Sequence, residues 1–467
     1  MYNHSPAMTG KELLFAALRH EPLPATPWVP FAGVHAGSLK GYTASQVLTD
    51  KAKLLESLLE VNRQYDPDGQ PVVFDLQIEA EILGCELVWA DKAPPSVASH
   101  PLAQKAEVPT RLPEKTDGRL PMVLDTMRAM KSQVGEHTAL YGLVTGPFTL
   151  ASHLRGTEIF MDMFDRKEYV NDLLTFCTTF AMRVADIYHE AGMDVLAVVD
   201  PLVSQISPKH FTQFLSGEFT RLFSHIRSLG AFSSFFVCGD ATKNIEVMCL
   251  TAPDCIAVDE NINLVNAKQI TDRYNITIEG NIPLTTRMLF GTQQDNMKYI
   301  LDLVDSLAPQ GSVPQNLIIS PGCDMPYDIP VENVVGAMQA IRDPETARLM
   351  VASYKAEALD LDAVVLPDYK SLKRPLMEVF TLDSATCPAC GYMMNAARRA
   401  CEELAGQVDM VEYKITQPEN VARLVKMGIK NLPSILINGE LKFSSLIPSN
   451  RELVEEIKKH YYSSSHK

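Results

Sequence analysis

The sequence predicts an α/β chain of two parts: a closed (β/α)8 barrel over residues 1–342 and a small α/β domain over residues 376–467, joined by a connector over 343–375. Three observations carry this expectation. Eight short apolar runs alternate with longer amphipathic stretches as far as residue 342. Those runs are continuously apolar, as parallel strands covered on both faces are. The chain has 467 residues, more than one core usually holds.

Taken in order, Thr9-Gly10-Lys11-Glu12 ahead of Leu13-Leu14-Phe15 has the spacing of a capping box and predicts an opening helix. Strands are expected at 27–31, 71–76, 139–146, 194–200, 233–239, 255–260, 276–282 and 317–324. Amphipathic segments at 44–64, 157–192 and 208–230 lie among the crossovers. Eight such units fit a closed barrel with insertions better than an open doubly wound sheet. Asp75, Gly146-Pro147, Asp200, Cys238, Asp259-Glu260, Asn281 and Cys323 fall at the C-terminal ends of these strands. In a barrel those ends gather on one rim, where the site is built. Asp343-Pro344-Glu345 is expected to cap a helix running to about residue 359, and 366–375 reads as a polar, proline-flanked linker. Beyond it the expected order is strand, Cys-x-x-Cys, helix 392–404, strand 408–415, helix 418–427, strand 434–438 and a closing helix 450–461.

Composition narrows the function. A net charge of −15 with no basic tract argues against a nucleic-acid surface. Residues 1–20 lack the pattern of a secretory signal, and no apolar run is long enough to span a membrane. Nine cysteines, an odd number scattered over a long chain, suit a reducing cytoplasm better than a disulfide framework. The expected location is therefore cytoplasmic. Oligomeric state is not read from these features.

Cys387-Pro388-Ala389-Cys390 lies between the apolar run 377–382 and a helical pattern. A thiol at a helix N-terminus meets the positive end of the helix dipole, which favours thiolate. Asn431-Leu432-Pro433-Ser434 follows some forty residues on, with Pro433 directly before an apolar run and an Asn-Gly turn. The plain alternative is a structural metal pair or two inert thiols. Cys238, in Phe236-Val237-Cys238-Gly239-Asp240, and Cys323, in Pro321-Gly322-Cys323-Asp324, end the fifth and eighth expected strands. Two thiolates and a third protein ligand make a zinc site with an open position. The alternative is that each is a small buried hydrophobe.

Residues 9–342 resemble the uroporphyrinogen decarboxylase superfamily, and within it the methylcobalamin:coenzyme M methyltransferase branch. The resemblance is carried in order by Glu79-Ala80-Glu81-Ile82-Leu83-Gly84-Cys85-Glu86, Pro94-Pro95-Ser96-Val97, Gly146-Pro147-Phe148-Thr149-Leu150-Ala151, Asp200-Pro201 with Ile206-Ser207-Pro208, Val237-Cys238-Gly239-Asp240 and Pro321-Gly322-Cys323-Asp324. The Cys-Pro-Ala-Cys segment resembles thioredoxin- and glutaredoxin-like domains, which implies Cys387 as attacking thiolate, Cys390 as resolving thiol and Pro433 as a neighbouring cis-proline. In the methyltransferase branch the metal signature is His-x-Cys plus a distant Cys. The cysteines carry over to Cys238 and Cys323, but Phe236 stands at the histidine position. Asp200, Asp259 and Glu260 are then candidate replacement ligands, as are His35 and His153. Asp75, Asp200 and His35 are also the substrate-binding candidates on the rim.

The decarboxylase branch resembles this chain less. Its arginine-rich segment after the first strand is replaced by Phe31-Ala32-Gly33-Val34-His35-Ala36-Gly37-Ser38. Bidentate guanidinium clamps on substrate carboxylates are not copied by histidine or lysine. The resemblance therefore implies a methyltransferase moving methyl from a methylcorrinoid, carried by a separate partner protein, to a small thiol or similar acceptor, with zinc as the implied metal. Two alternatives stay open: a barrel that only binds a tetrapyrrole or a partner, leaving the dithiol domain active, and a decarboxylase.

Overall fold

The computed structural model describes residues 8–309, 311–355, 360–385, 388–429 and 431–463. They form two compact units, one made of the residues to Val203 and Ser207–Tyr354, the other of Ser204–Ile206 and the residues from Lys355 on. The first has a curled sheet of seven parallel strands: β1 (Gly69–Pro71), β2 (Ala139–Thr145), β3 (Val195–Val199), β4 (Phe232–Val237), β5 (Cys255–Val258), β6 (Thr277–Ile282) and β7 (Leu317–Pro321), side by side in chain order. Residues 27–29 supply the eighth position. Trp28 bridges Ile319 in parallel, Val29 N donates to Ile319 O at 2.9 Å, and Asp68 N donates to Trp28 O at 2.9 Å. The segment thus bonds both edges of the sheet and shuts the ring.

Inside the ring, residues two apart on successive strands point inward, as the pleat dictates. Tyr141 and Leu143, Val195, Ala197 and Val199, and Cys255 and Ala257 share one buried cluster with Phe31, Phe74 and Phe236. The opening helix Gly10–Leu18 begins at the expected capping box and adds Leu13, Leu14 and Ala17 to that cluster. Thr277 Oγ1 donates to Ala17 O at 2.7 Å, tying the helix to β6.

Several expected boundaries are corrected. The strand expected at 71–76 ends at Pro71. The segment 44–64 is two helices, Ala44–Thr49 and Lys51–Tyr65, because Asp50 turns extended and caps the second through Ala52 N (2.9 Å) and Lys53 N (3.2 Å). The segment 157–192 breaks at Arg166 into Glu158–Asp165 and Lys167–Glu190. A π-helical stretch, Phe211–Leu215, interrupts 208–230. The helix capped by Asp343 is short, Pro344–Val351.

The second unit is built on β8 (Leu376–Thr381), which pairs in parallel with β9 (Asp409–Lys414) and antiparallel with β10 (Ser434–Ile437). A strand the sequence reading did not place, β11 (Glu440–Ser444), pairs antiparallel with β10. Asn438 and Gly439 join them with φ of 50° and 76°, the left-handed pair that tight hairpins need. Met377, Val379, Ile435 and Ile437 pack with Met393, Ala397 and Ala400 of helix Pro388–Glu403 and with Leu453 and Ile457 of helix Asn450–Ser463. Among the described residues no helix is long and apolar enough to cross a membrane.

Candidate active site

Cys238 follows β4 and Cys323 follows β7, and the fold brings them together across the ring mouth. They are joined as a disulfide, with Cα atoms 5.9 Å apart at a sequence separation of 85. That separation lies within the ordinary disulfide range. Both are half-buried, whereas the other four cysteines of the barrel, Cys85, Cys177, Cys249 and Cys255, are buried. Burial pushes the thiols of Cys85 and Cys249 up to about 12, and those of Cys177 and Cys255 well above the usual range.

The expected meeting of the two sulfurs is found, but their expected state as metal-binding thiolates is not. Phe236, where the methyltransferase signature has histidine, is fully buried. Its ring lies 4.8 Å from that of Phe31 and 6.0 Å from that of Phe74, an apolar floor under the mouth. The neighbouring carboxylates are already committed. Asp259 accepts from Gly239 N at 2.8 Å and from Asn261 N at 2.9 Å. Glu260 accepts from Leu284 N, and burial together with Asp259 raises its carboxyl above the usual range. Asp324 accepts from Gly33 N at 2.8 Å. No group of three or more metal-binding side chains occurs among the described residues. The donor set does not fit a three-ligand zinc site.

Asp200, expected to bind substrate or metal, instead holds a helix. Its oxygens accept from Phe148 N (2.9 Å), Thr149 N (3.1 Å) and Thr149 Oγ1 (2.6 Å) at the start of helix Pro147–Arg155. A side chain at Gly146 would meet Asp200 Cβ at 2.2 Å, so only glycine lets the strand end approach. Burial lifts the Asp200 carboxyl to about 7 against the pull of those donors.

His35 is likewise occupied. Nε2 bonds Tyr65 Oη at 2.8 Å, Nδ1 bonds Tyr327 O at 3.1 Å, and the ring stacks on Tyr65. Burial lowers it to about 4. His153 is buried and lowered to about 3 by burial.

Asp75 is found with a partner that sequence reasoning missed. Its side chain is fully buried and its Oδ2 lies 2.5 Å from Arg119 Nη1. Arg119 Nε also bonds Glu81 Oε2 at 2.7 Å, and its guanidinium sits 5.0 Å from the Trp89 ring centre. Nη2 of Arg119 is buried with no hydrogen-bond partner. Arg119 and Asp75 are 44 positions apart, and no local pattern links them.

In the second unit Cys390 is buried in the first turns of helix Pro388–Glu403, and its Sγ accepts from Leu382 N at 3.4 Å. The Leu432–Pro433 peptide is cis. Cys387 lies outside the described residues.

Residues 9–344 match the family model for uroporphyrinogen decarboxylase (URO-D), and residues 377–458 match the thioredoxin domain. A methylcobamide:CoM methyltransferase (MtbA) from Methanosarcina acetivorans is 26% identical over 337 residues, covering 70% of this chain and 95% of that protein. A methylcobamide:CoM methyltransferase (MtaA) from Methanosarcina barkeri is 30% identical over 277 residues, 57% of this chain and 77% of its own. A uroporphyrinogen decarboxylase from Nostoc punctiforme is 23% identical over 297 residues, 61% of this chain and 82% of its own. A solved methyltransferase from Methanosarcina mazei superposes with a TM-score of 0.66 at 23% identity, covering 72% of this chain and 99% of that one, which shows the barrel fold. Over its barrel this chain belongs to the uroporphyrinogen decarboxylase family, as an enzyme of the methyltransferase side, and a thioredoxin domain follows.

Proposed function

We propose that the barrel moves a methyl group from a methylcorrinoid, carried by a separate partner protein, to a small thiol or similar acceptor, and that the following domain performs thiol–disulfide exchange through Cys387 and Cys390. The observation that carries the first half is the match to a methylcobamide:CoM methyltransferase over 95% of that protein's length. The lack of arginine in residues 31–38 supports it against porphyrinogen decarboxylation. In the transfer, the acceptor sulfur, as thiolate, bonds the methyl carbon. The cobalt–carbon bond breaks with its electron pair left on cobalt. Phe31, Phe74 and Phe236 keep the floor of the mouth dry. Zinc at Cys238 and Cys323 would need the disulfide opened and a third ligand found, so no step is drawn through it.

The test is incubation of reduced, full-length protein with methylcobalamin and a panel of thiols, following loss of the cobalt–methyl absorbance and thioether formation by mass spectrometry. Methyl transfer to at least one thiol is expected. None to any thiol overturns the reading. Phe236 favours a second reading in which the barrel only binds a tetrapyrrole or a partner. Disulfide reduction by the C-terminal domain with no methyl transfer would establish it.

A further inference from the structure

We infer that the barrel mouth carries a second redox centre. Cys238 and Cys323 form a dithiol–disulfide couple, standing where the methyltransferase branch carries a metal, and small thiols are its substrates. Four observations converge on it. The pair is joined across the mouth. The ligand that would complete a metal site is a buried phenyl ring packed on two others. The carboxylates of Asp259, Glu260 and Asp324 accept from backbone N–H groups. Both cysteines are half-buried, whereas the barrel's remaining cysteines are buried with raised thiols and so withheld from the same chemistry.

A thiolate RS⁻ attacks one sulfur of the pair. The Cys238–Cys323 bond breaks, the attacked cysteine becomes a mixed disulfide with R, and the other leaves as thiolate and takes a proton. A second RS⁻ attacks the sulfur of R in that mixed disulfide, releasing RSSR and the second cysteine thiolate, which is also protonated. Two RSH are oxidised to RSSR, and two electrons and two protons end on Cys238 and Cys323. The inference stands on the sulfur geometry and the missing imidazole, not on methyl transfer.

The experiment uses the full-length chain purified in air. Thiols are blocked, the protein is digested without reduction, and mass spectrometry seeks the peptide pair joining Cys238 to Cys323. A parallel series equilibrates native protein in buffers of graded reduced-to-oxidised dithiothreitol, and then with 2-mercaptoethanol, before blocking. The cross-link is expected in air-purified protein, to disappear as the dithiol ratio rises and to return on reoxidation. Elemental analysis of the reduced protein is expected to find no zinc bound, while Phe236→His acquires it. Alkylation of both cysteines in the air-purified protein overturns the proposal. So does a cross-link that persists at every dithiol ratio, or zinc retained by the wild-type protein with both cysteines shielded from alkylation. None of these readouts depends on methyl transfer, so failure here and failure of the methyltransferase reading are told apart.

Discussion

The barrel rim and the C-terminal domain each present a cysteine pair, built in opposite ways. At the rim, Cys238 and Cys323 lie at a sequence separation of 85, and only the closed ring brings them together. In the C-terminal domain Cys387 and Cys390 share one short motif. The rest of the rim follows its own pair: Asp75 is held by Arg119, Asp200 by Thr149 and Asp324 by Gly33. A site assembled from distant partners is exposed to loss of any partner, chiefly through stability. A site carried by a motif is exposed to change of a single atom, chiefly through chemistry.

Substitutions at Cys387, at Arg119 and at Asp200 test that contrast. The largest effect is expected from Cys387→Ser. If Cys387 is the attacking thiolate proposed above, its removal should cut reduction of an insulin-type protein disulfide by about 100-fold or more, with the unfolding midpoint of the C-terminal domain unchanged. A small loss of reductase activity with a large loss of stability would reverse the distinction. Next comes Arg119→Ala, which strands the fully buried Asp75 carboxylate. A destabilisation of about 3–5 kcal/mol in the barrel's denaturant transition is expected. Arg119→Ala with Asp75→Asn should recover part of it. The smallest effect concerns pH. The folded Asp200 carboxyl titrates at about 7 against an ordinary value of 3.8, so the native barrel holds this proton more tightly than the unfolded chain does. Its contribution to stability therefore falls as pH rises from about 4 to 7, and is flat below that window. Comparing barrel midpoints at pH 5 and pH 7.5, Asp200→Asn should show a smaller fall than wild type. An unchanged fall would mean that the Phe148 and Thr149 donors win over burial.

Much of this architecture was legible in the sequence, and for a physical reason. Parallel strands covered on both faces are unbroken apolar runs, so β2 to β7 announced themselves within a few residues of their ends. The same logic found the bridging segment at Trp28. What stayed hidden was relational. Continuous amphipathic periodicity does not reveal that Asp50 will turn and cap a new helix. Strand β11 escaped because its alternation is short, with only Leu441 and Phe443 set between Glu440, Lys442 and Ser444. A position at a strand end, as for Asp75 and Asp200, does not say whether a side chain already serves a neighbour. For His35 the sequence does not show that Tyr65 and Tyr327 bond both its nitrogens. Arg119 gave no signal, because its meaning lies in a residue 44 positions away.

The closure at Trp28 has a consequence for biosynthesis. One of its two neighbours, Ile319, is made long after it. At translation speeds of about 5–20 residues per second, the amino-terminal staple spends on the order of tens of seconds without that edge to bond. Throughout that interval the nascent barrel exposes two raw sheet margins to the crowded cell, and a chaperone has its natural opening there.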